Sequence, residues 1–528
     1  MQVATCMEWK PRHNPWAIAL TVTLATFMEV LDTSIANVAL PNIAGSLGAT
    51  PDESTWVLTS YLVSNAVILP ISAWLATILG RKRFYMSCVA IFGLSSILCG
   101  AAPTLGMLIL FRVFQGVGGG GLAPSEQAIL ADTFSPAQRG MAFAVYGMAV
   151  VVAPAVGPTL GGWITDNFSW RWIFYINVPV AIASLFLTNR LVEDPPYLKE
   201  VRKRASGIKI DYIGLGLITV AVGCLQVVLD KGQEADWFSA WWITTFFVVA
   251  MVSLVVWIFW EARHPFPIVN VKLFQKRNFA VAMFFTFMLG MVLFGTTVII
   301  PQFLEVLLGY PAVKAGEALA GGGLAMLVMM PVSGMLVSRI DPRLMMACGF
   351  AGTAASLYFM TTHWSLGLDF KTAFMMRTLQ AVSLPFIFLP SNTLAYIGVA
   401  REQNNQVSGM NAFVRNIGGS IGIAMITTLL TRQGQKHTNY LSSHAIPGSA
   451  AFDSLVNGLR ATFLKSGSGR ALATQQAYAR VNQMIQGQAS ALAYVDVLSY
   501  MSIVVAILIP FVLLMRRGKP GGAAPAAH

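Results

Sequence analysis

The sequence predicts an all-α integral membrane protein whose fourteen transmembrane helices form two six-helix repeats with two further helices inserted between them. Three observations predict it. Hydrophobic residues make up 55% and charged residues only 11% of 528 positions, a balance that suits lipid rather than water as solvent. A window of about 19 residues, the length that spans a bilayer core, finds fourteen apolar stretches. Finally, Arg112-Val-Phe-Gln115 recurs as Arg377-Thr-Leu-Gln380, 265 positions later, which marks an internal repeat.

Spans one to six lie near 16–41, 55–79, 84–102, 106–132, 139–162 and 172–190. The first follows Lys10 and Arg12 without a small-residue cleavage site, so it reads as a retained span and not a removable leader. Spans seven and eight, near 209–230 and 238–260, have no repeat counterpart and form the insertion. Spans nine to fourteen lie near 278–302, 312–337, 343–362, 369–397, 405–431 and 491–515. Ala73-Trp-Leu75, leading to Arg81, is matched by Gly334-Met-Leu336, leading to Arg339 and Arg343, at an offset of 261. The expected organisation is therefore a first half over 1–190, a linker with two spans over 191–277, and a second half over 278–528 that includes a long loop, 432–490. Repeats of this kind place a substrate site at their interface near the bilayer midplane, with access alternating as one half rocks.

Lys and Arg fall unevenly on the two sides of these spans. One side holds 22, from Lys10 and Arg12 through Arg81, Arg139 and the 190–209 loop to Arg516, Arg517 and Lys519; the short loops opposite hold only Arg171, Lys231, Lys314 and Lys371. By the positive-inside rule both termini are cytoplasmic. The loop 432–490 carries six more on the outer side, and long translocated loops are exempt from the rule. The net charge of +12 thus reflects topology and not nucleic-acid binding. Cys6, Cys88, Cys99, Cys224 and Cys348 lie at the terminus or in apolar spans without metal-ligand spacing, which argues against disulfides, zinc or any other metal. The run Gly118 to Gly121 lies in an apolar helix and no Gly-Lys-Ser/Thr follows, so it is no ATP site. No cofactor is implied, and no catalytic cluster suggests an enzyme.

Only Arg112, Arg377 and Arg415 lie inside apolar stretches. A cation at membrane depth costs roughly 3 kcal/mol and usually faces the bundle interior, so the three mark a buried polar pathway. At 1.5 Å per residue, Asp32 lies about 24 Å along span one and Arg112 about 9 Å below the outer surface. Both fall in the outer half, where they can pair directly or compete for a proton. Glu29 shares roughly the face of Asp32 and reads as a second proton carrier or a contact for cationic substrates. A structural ion pair is the alternative for both carboxylates.

Four runs carry a family resemblance. Leu31-Asp32-Thr33-Ser34-Ile35-Ala36-Asn37-Val38-Ala39-Leu40-Pro41 in span one, Arg112-Val-Phe-Gln115-Gly116-Val-Gly118 in span four, Ala153-Pro154-Ala-Val-Gly157-Pro158-Thr-Leu-Gly161-Gly162 in span five, and Trp170-Arg171-Trp172-Ile173-Phe174-Tyr175-Ile176-Asn177-Val178-Pro179 stand in family order. Over nearly its whole length the chain resembles the major facilitator superfamily, and within it the fourteen-helix drug:proton antiporters of the EmrB/QacA type. The resemblance implies a multidrug efflux antiporter of the inner membrane, exchanging protons for amphipathic toxic compounds. It also links the span-five motif, and Gly80 and Arg81 after span two, to conformational change. Two departures stand out. Glu29 replaces an uncharged residue of the family pattern, and Ala73 and Thr77 replace the Gly and Asp of the loop motif, so the family's acidic gate contact has no counterpart there.

The remaining candidates keep two readings each. Glu126, fourteen residues or close to four helical turns after Arg112, shares its face nearer the cytoplasmic mouth and reads as an inner-cavity carboxylate or a helix-end salt bridge. Asp496, within Leu492-Ala-Tyr494-Val-Asp496, resembles the family's last-helix pattern and reads equally as an interfacial group. Arg415, one turn after Asn411 and about 15 Å from the cytoplasmic end, reads as a ligand for an acidic substrate or as part of a structural network. Gln115 and Arg377 complete the substrate-binding candidates. Met288, Met291, Met326, Met330, Met375 and Met376 suggest a compliant cavity or plain packing. The outer loop breaks at Pro447-Gly448 and is expected to form two short amphipathic helices, Ala451 to Leu464 and Ala471 to Gln486. Its likeness to segments of EmrB-type proteins in double-membraned bacteria implies contact with a periplasmic membrane-fusion adaptor and an outer-membrane channel; a surface hairpin is the alternative. An exporter of a dedicated metabolite, such as a siderophore or an aromatic acid, is the main alternative function, ahead of a solute:proton symporter.

Overall fold

A computed structural model describes residues 11–198, 200, 211–265 and 267–515. Cys6 and nine residues of the charge asymmetry, Lys10, Lys199, Arg202, Lys203, Arg204, Lys209, Arg516, Arg517 and Lys519, lie outside the described residues. Among the described residues thirteen helices are long and apolar enough to cross a membrane, or fourteen when span five, which is bent, is counted as one.

Local sequence explains where the spans begin and end. Span one (Pro15–Leu47) is capped by Asn14, whose side chain accepts from the Trp16 amide at 2.9 Å, and it ends at Gly48 with φ 64°, a left-handed value that a Cβ would strain. Span two (Trp56–Leu79) is preceded by a turn, Pro51–Ser54, with a reciprocal Thr50–Glu53 capping box. Span three (Arg81–Ala101) starts directly after Gly80 at φ 90°, so the chain reverses there with no loop to spare.

The expected unbroken span four is two helices, Leu105–Gly119 and Leu122–Thr133, separated at Gly120 and Gly121. Close packing explains the glycines. A Cβ on Gly116 would lie 2.5 Å from the Tyr61 carbonyl of span two, and one on Gly118 would lie 2.7 Å from the Phe92 amide of span three. Span four is therefore wedged backbone to backbone between its neighbours. Span twelve breaks at the corresponding place, between Phe370–Ser383 and Pro385–Ala395.

Span five (Arg139–Asn167) bends by 41° between Arg139–Pro154 and Val156–Asn167. Proline removes a backbone donor and pushes the helix open. Just past the bend, a Cβ on Gly157 would come 2.4 Å from Ser34 Oγ and one on Gly161 3.0 Å from Ile35 Cγ2, which seats span five on span one. Span nine (Arg277–Leu307) and span thirteen (Asn404–His444) meet in the same way. There Gly418 and Gly422 would place a Cβ 2.3 Å from the Phe287 carbonyl and 2.7 Å from Met291 Cα. Spans five and ten (Ala312–Leu336) cross most closely at Gly140 and Gly334.

Span six (Trp172–Leu191), span seven (Tyr212–Lys231), span eight (Trp241–Arg263) and span eleven (Pro342–His363) complete the set. Span seven packs on spans two, eight and thirteen. Its far end is tied to both sides of the bundle, since Lys231 Nζ donates to Thr55 and Thr59 donates to Asp230, while Trp237 Nε1 donates to Thr428 at 3.0 Å.

The outer loop differs from expectation. Helix Ala450–Lys465 matches the first predicted element, but Ala471 to Gln486 is no separate helix: it runs without a break into span fourteen as Arg470–Phe511, 42 residues and about 63 Å long. The apolar window ends near 491 because the sequence turns polar, yet nothing there stops a helix. Span thirteen is likewise extended to His444, and Gln433–Tyr500 and His437–Asp496 bonds pair the two extensions. Ala450–Lys465 packs on the upper part of the long helix through Val456, Ala477 and Val481, making a two-helix finger.

The glycine wedge is testable. Gly118→Leu is expected to cut the yield of monodisperse detergent-solubilised protein severalfold in size-exclusion chromatography, because the clash is with backbone. Gly216→Leu, at a position where a Cβ meets nothing within 4 Å, is expected to leave the yield unchanged.

Candidate functional site

Asp32 and Arg112 meet at 2.6 Å, both fully buried. The carboxylate also accepts from Gln115 Nε2 at 3.0 Å and from Asn177 Nδ2 at 2.6 Å, while Ser96 Oγ accepts from both amides. Arg112 donates further to the Val57 carbonyl and to Gln115 Oε1, and its guanidinium lies 4.3 Å over the Tyr61 ring. One carboxylate thus joins spans one, three, four and six through charge-assisted bonds. Ser96 and Asn177 were not among the expected site residues. Asn177 lies in the run Trp170 to Pro179, a usable signal; Ser96 sits in an ordinary apolar stretch and offers none. Gln115, expected at the substrate, is fully buried behind the pair.

Arg112 also faces a central cavity of about 290 Å³. Its walls are mainly apolar, with Val30, Leu58, Leu293 and Phe294 among them, and Arg377 stands opposite. Arg377 bonds only neutral groups: Gln380 Oε1 at 2.7 Å, Thr297 at 3.1 Å and Thr296 at 3.3 Å. No carboxylate lines this cavity among the described residues. The six methionines do not line it either. Met326, Met330 and Met376 are buried in packing between the helices, and Met375 lies exposed on the outside of the bundle.

A second cavity of about 140 Å³ shares the walls Val30, Thr33 and Tyr61 with the first and contains Glu29 and Arg415. Glu29 accepts from Asn65 Nδ2 at 2.9 Å and Tyr61 Oη at 3.3 Å. Arg415, whose partner sequence left unnamed, donates to the Tyr146 hydroxyl and stacks over the rings of Tyr146 and Phe388 at 5.4 and 5.7 Å. Asn411 points elsewhere, bonding Gln127, Asn392 and Thr286 in a buried seam between spans four, nine, twelve and thirteen. Glu126 is fully buried and accepts from Thr23 at 2.5 Å. No Lys or Arg lies within ion-pair distance of it among the described residues, so the helix-end salt bridge is not formed; like Arg112, which holds Asp32, it reaches span one, at Thr23. Asp496 faces His437 at 2.8 Å on the helical extensions, away from both cavities.

At the end of the bundle rich in Lys and Arg, Arg81 is buried against Asp132 at 2.5 Å and donates to the Ala128 carbonyl and Asn405 Oδ1. Tyr197 and Asn404 donate to the same carboxylate at 2.5 and 2.7 Å. Asp132, at the end of span four, thus supplies the acid that the span-two loop lacks at Thr77. The cluster joins spans three and four to span thirteen at this end of the bundle.

Comparison with known proteins gives the arrangement its context. The family model described as Major Facilitator Superfamily matches residues 22–423. The chain is 35% identical to the multidrug export protein EmrB of Escherichia coli K12, over 91% of this chain and 92% of that one. It is 35% identical to the fatty acid resistance protein FarB of Neisseria gonorrhoeae, over 94% and 96%, and 27% identical to the colistin resistance protein EmrB of Acinetobacter baumannii, over 97% and 98%. Among solved structures, a double-tryptophan mutant of XylE superposes with a TM-score of 0.61 at 12% identity, covering 96% of this chain and 97% of the other. The human organic anion transporter MFSD10 gives 0.57 at 14% identity, over 79% and 94%. The chain therefore belongs to the Major Facilitator Superfamily, among its EmrB-type members, and is a multi-pass membrane transporter rather than an enzyme.

Proposed function

We propose that this transporter is a proton-driven exporter of amphipathic toxic compounds in a bacterial inner membrane, with both termini in the cytoplasm. The observation that carries the proposal is the position of Arg112, which holds Asp32 on one side and faces the apolar cavity on the other. A substrate that draws on Arg112 weakens its hold on Asp32, and a carboxylate without its cation in a dry site takes up a proton. Substrate and proton then compete for one pair of groups, which is the minimum machinery of exchange.

The halves 1–190 and 278–528 rock about the five–ten and two–thirteen contacts, with 191–277 riding alongside. The Arg81–Asp132–Asn404–Asn405 cluster supports a cytoplasmic gate that is shut in this conformation, and the bend of span five beside span one supports a moving wall. The finger formed by Ala450–Lys465 and the upper part of the long last helix supports docking of a periplasmic adaptor leading to an outer-membrane channel. Arg460, Lys465, Arg470 and Arg480 face only Asp453 on it, which favours an acidic partner surface.

A dedicated exporter of organic anions, such as fatty or aromatic acids or a siderophore, is the second reading. Two arginines and no carboxylate on the wall of the larger cavity favour it, and the similarity to FarB is in keeping with it.

Purified protein in vesicles is expected to release protons on addition of substrate, and Asp32→Asn is expected to lower that release at least tenfold; undiminished release sinks the role of Asp32. A panel of cationic and anionic amphiphiles in the same assay separates the two readings, since only the second confines release to anions. At the gate, Asp132→Asn is expected to raise severalfold the rate at which Ser72→Cys, beside Gly409, is labelled by an impermeant maleimide from the cytoplasmic side. Replacing 445–488 with a short Gly-Ser linker, which joins the two extensions at matching height, is expected to abolish adaptor co-purification while leaving insertion and proton release intact.

A further inference from the structure

Glu29 and Arg415 share the 140 Å³ cavity but make no ion pair. Each is held by neutral groups alone. Glu29 accepts from a phenol and an amide, and Arg415 leans on a phenol and two ring faces while its Nη1 has no hydrogen-bond partner. A guanidinium in a dry site with an open donor is poorly compensated, and so is a carboxylate without a cation. They also stand on opposite sides of the interface between the repeats: Glu29 on span one with its donors on span two, Arg415 on span thirteen. A rocking motion that carries spans one and two past span thirteen changes their separation directly.

We propose that Glu29 and Arg415 form an exchangeable pair across the repeats and supply a second proton-coupling step beside Asp32 and Arg112. In the conformation described, Arg415 is parked on Tyr146 and no cation is paired with Glu29; in the proposed cycle this is the state in which Glu29, buried without a cation, holds its proton. When the repeats rock, Arg415 leaves Tyr146 for Glu29, and the carboxyl releases its proton to the water of whichever side the cavity then faces. The return stroke separates the pair and Glu29 is reloaded from that water. The other titratable or charged groups that act on Glu29 are Tyr61 of span two, Cys88 of span three, Glu126 of span four and Asp32 of its own span. Asp32 is already bound to Arg112 and Glu126 carries no positive charge, so Arg415 is the cation available to discharge Glu29.

The inference rests on the proton-coupled reading above, but its test needs no substrate. The infrared carbonyl band of protonated carboxyls is titrated in the full-length protein in nanodiscs, and the difference between each background with and without Glu29→Gln isolates Glu29. Arg415→Gln is expected to raise the midpoint by about 1 pH unit, because the carboxylate loses its cation; Arg415→Lys is expected to restore it. Tyr146→Phe, which removes the parking site, is expected to lower it. Arg377→Gln, a cation of the neighbouring cavity, is expected to leave it in place. Equal shifts from Arg377→Gln and Arg415→Gln overturn the proposal, since they report a diffuse field and not a pair. Should Arg415→Gln fail to fold, Tyr146→Phe decides alone: an unmoved or raised midpoint overturns it. Release driven by substrate and abolished by Asp32→Asn is a separate measurement on a separate residue, so either idea can fail without the other.

Discussion

A carboxylate and a guanidinium buried in hydrocarbon cost least when they pair and most of their remaining hydrogen-bonding sites are filled. Asp32 and Arg112 approach that state by recruiting Gln115, Asn177, Ser96 and the Val57 carbonyl, which leaves Arg112 Nη2 without a hydrogen-bond partner. Because those partners come from spans one, two, three, four and six, filling the polar sites also fixes how the spans are arranged. The glycines complete the job by sterics. Gly116 and Gly118 bring span four within reach of Val57 and Ser96, and Gly157 and Gly161 bring span five onto span one. Polar satisfaction and close backbone approach are thus one constraint seen from two sides.

The second repeat keeps the geometry and drops the acid. Arg377 and Gln380 sit where Arg112 and Gln115 do, and their mutual bond is 2.7 Å in both. No counterpart of Asp32 answers Arg377; Thr296 and Thr297 of span nine take its place. A neutral shell holds the side chain in position without cancelling its charge. The two repeats therefore present unlike faces to one cavity, one arginine engaged by a carboxylate and the other with its charge unanswered. A site built from matched repeats becomes polar in the directional sense, which an orienting cavity for an amphipathic molecule requires.

Much of this was legible in sequence, for definite reasons. The apolar lengths were legible from composition, and the pairing of Asp32 with Arg112 from constant helical rise, which sets the two at one level and survives small bends. Continuity was less legible: counting turns from Arg112 to Glu126 assumed one helix, and the chain breaks at Gly120–Gly121, although both side chains still reach span one, at Asp32 and at Thr23. Contacts across the repeats were illegible for another reason: Tyr146 and Arg415 are 269 positions apart, and neither span shows an unusual pattern around them. The role of Asp132 opposite Arg81 was hidden because the acid comes from the end of span four and not from the loop next to Arg81. Compositional windows also misjudged the last helix, since they measure affinity for lipid, whereas Arg470–Phe511 continues past the apolar stretch packed on Ala450–Lys465 through Val456, Ala477 and Val481.

That last helix has a mechanical meaning. Forty-two residues without a proline before Pro510 make a rod of about 63 Å, anchored at one end in the bundle and braced at the other by Ala450–Lys465. A rod of that length pivoting by only ten degrees at its foot displaces its tip by roughly 11 Å. The tip is therefore a lever arm: a tilt of the helix too small to matter at its foot becomes a displacement of a helix width at its far end.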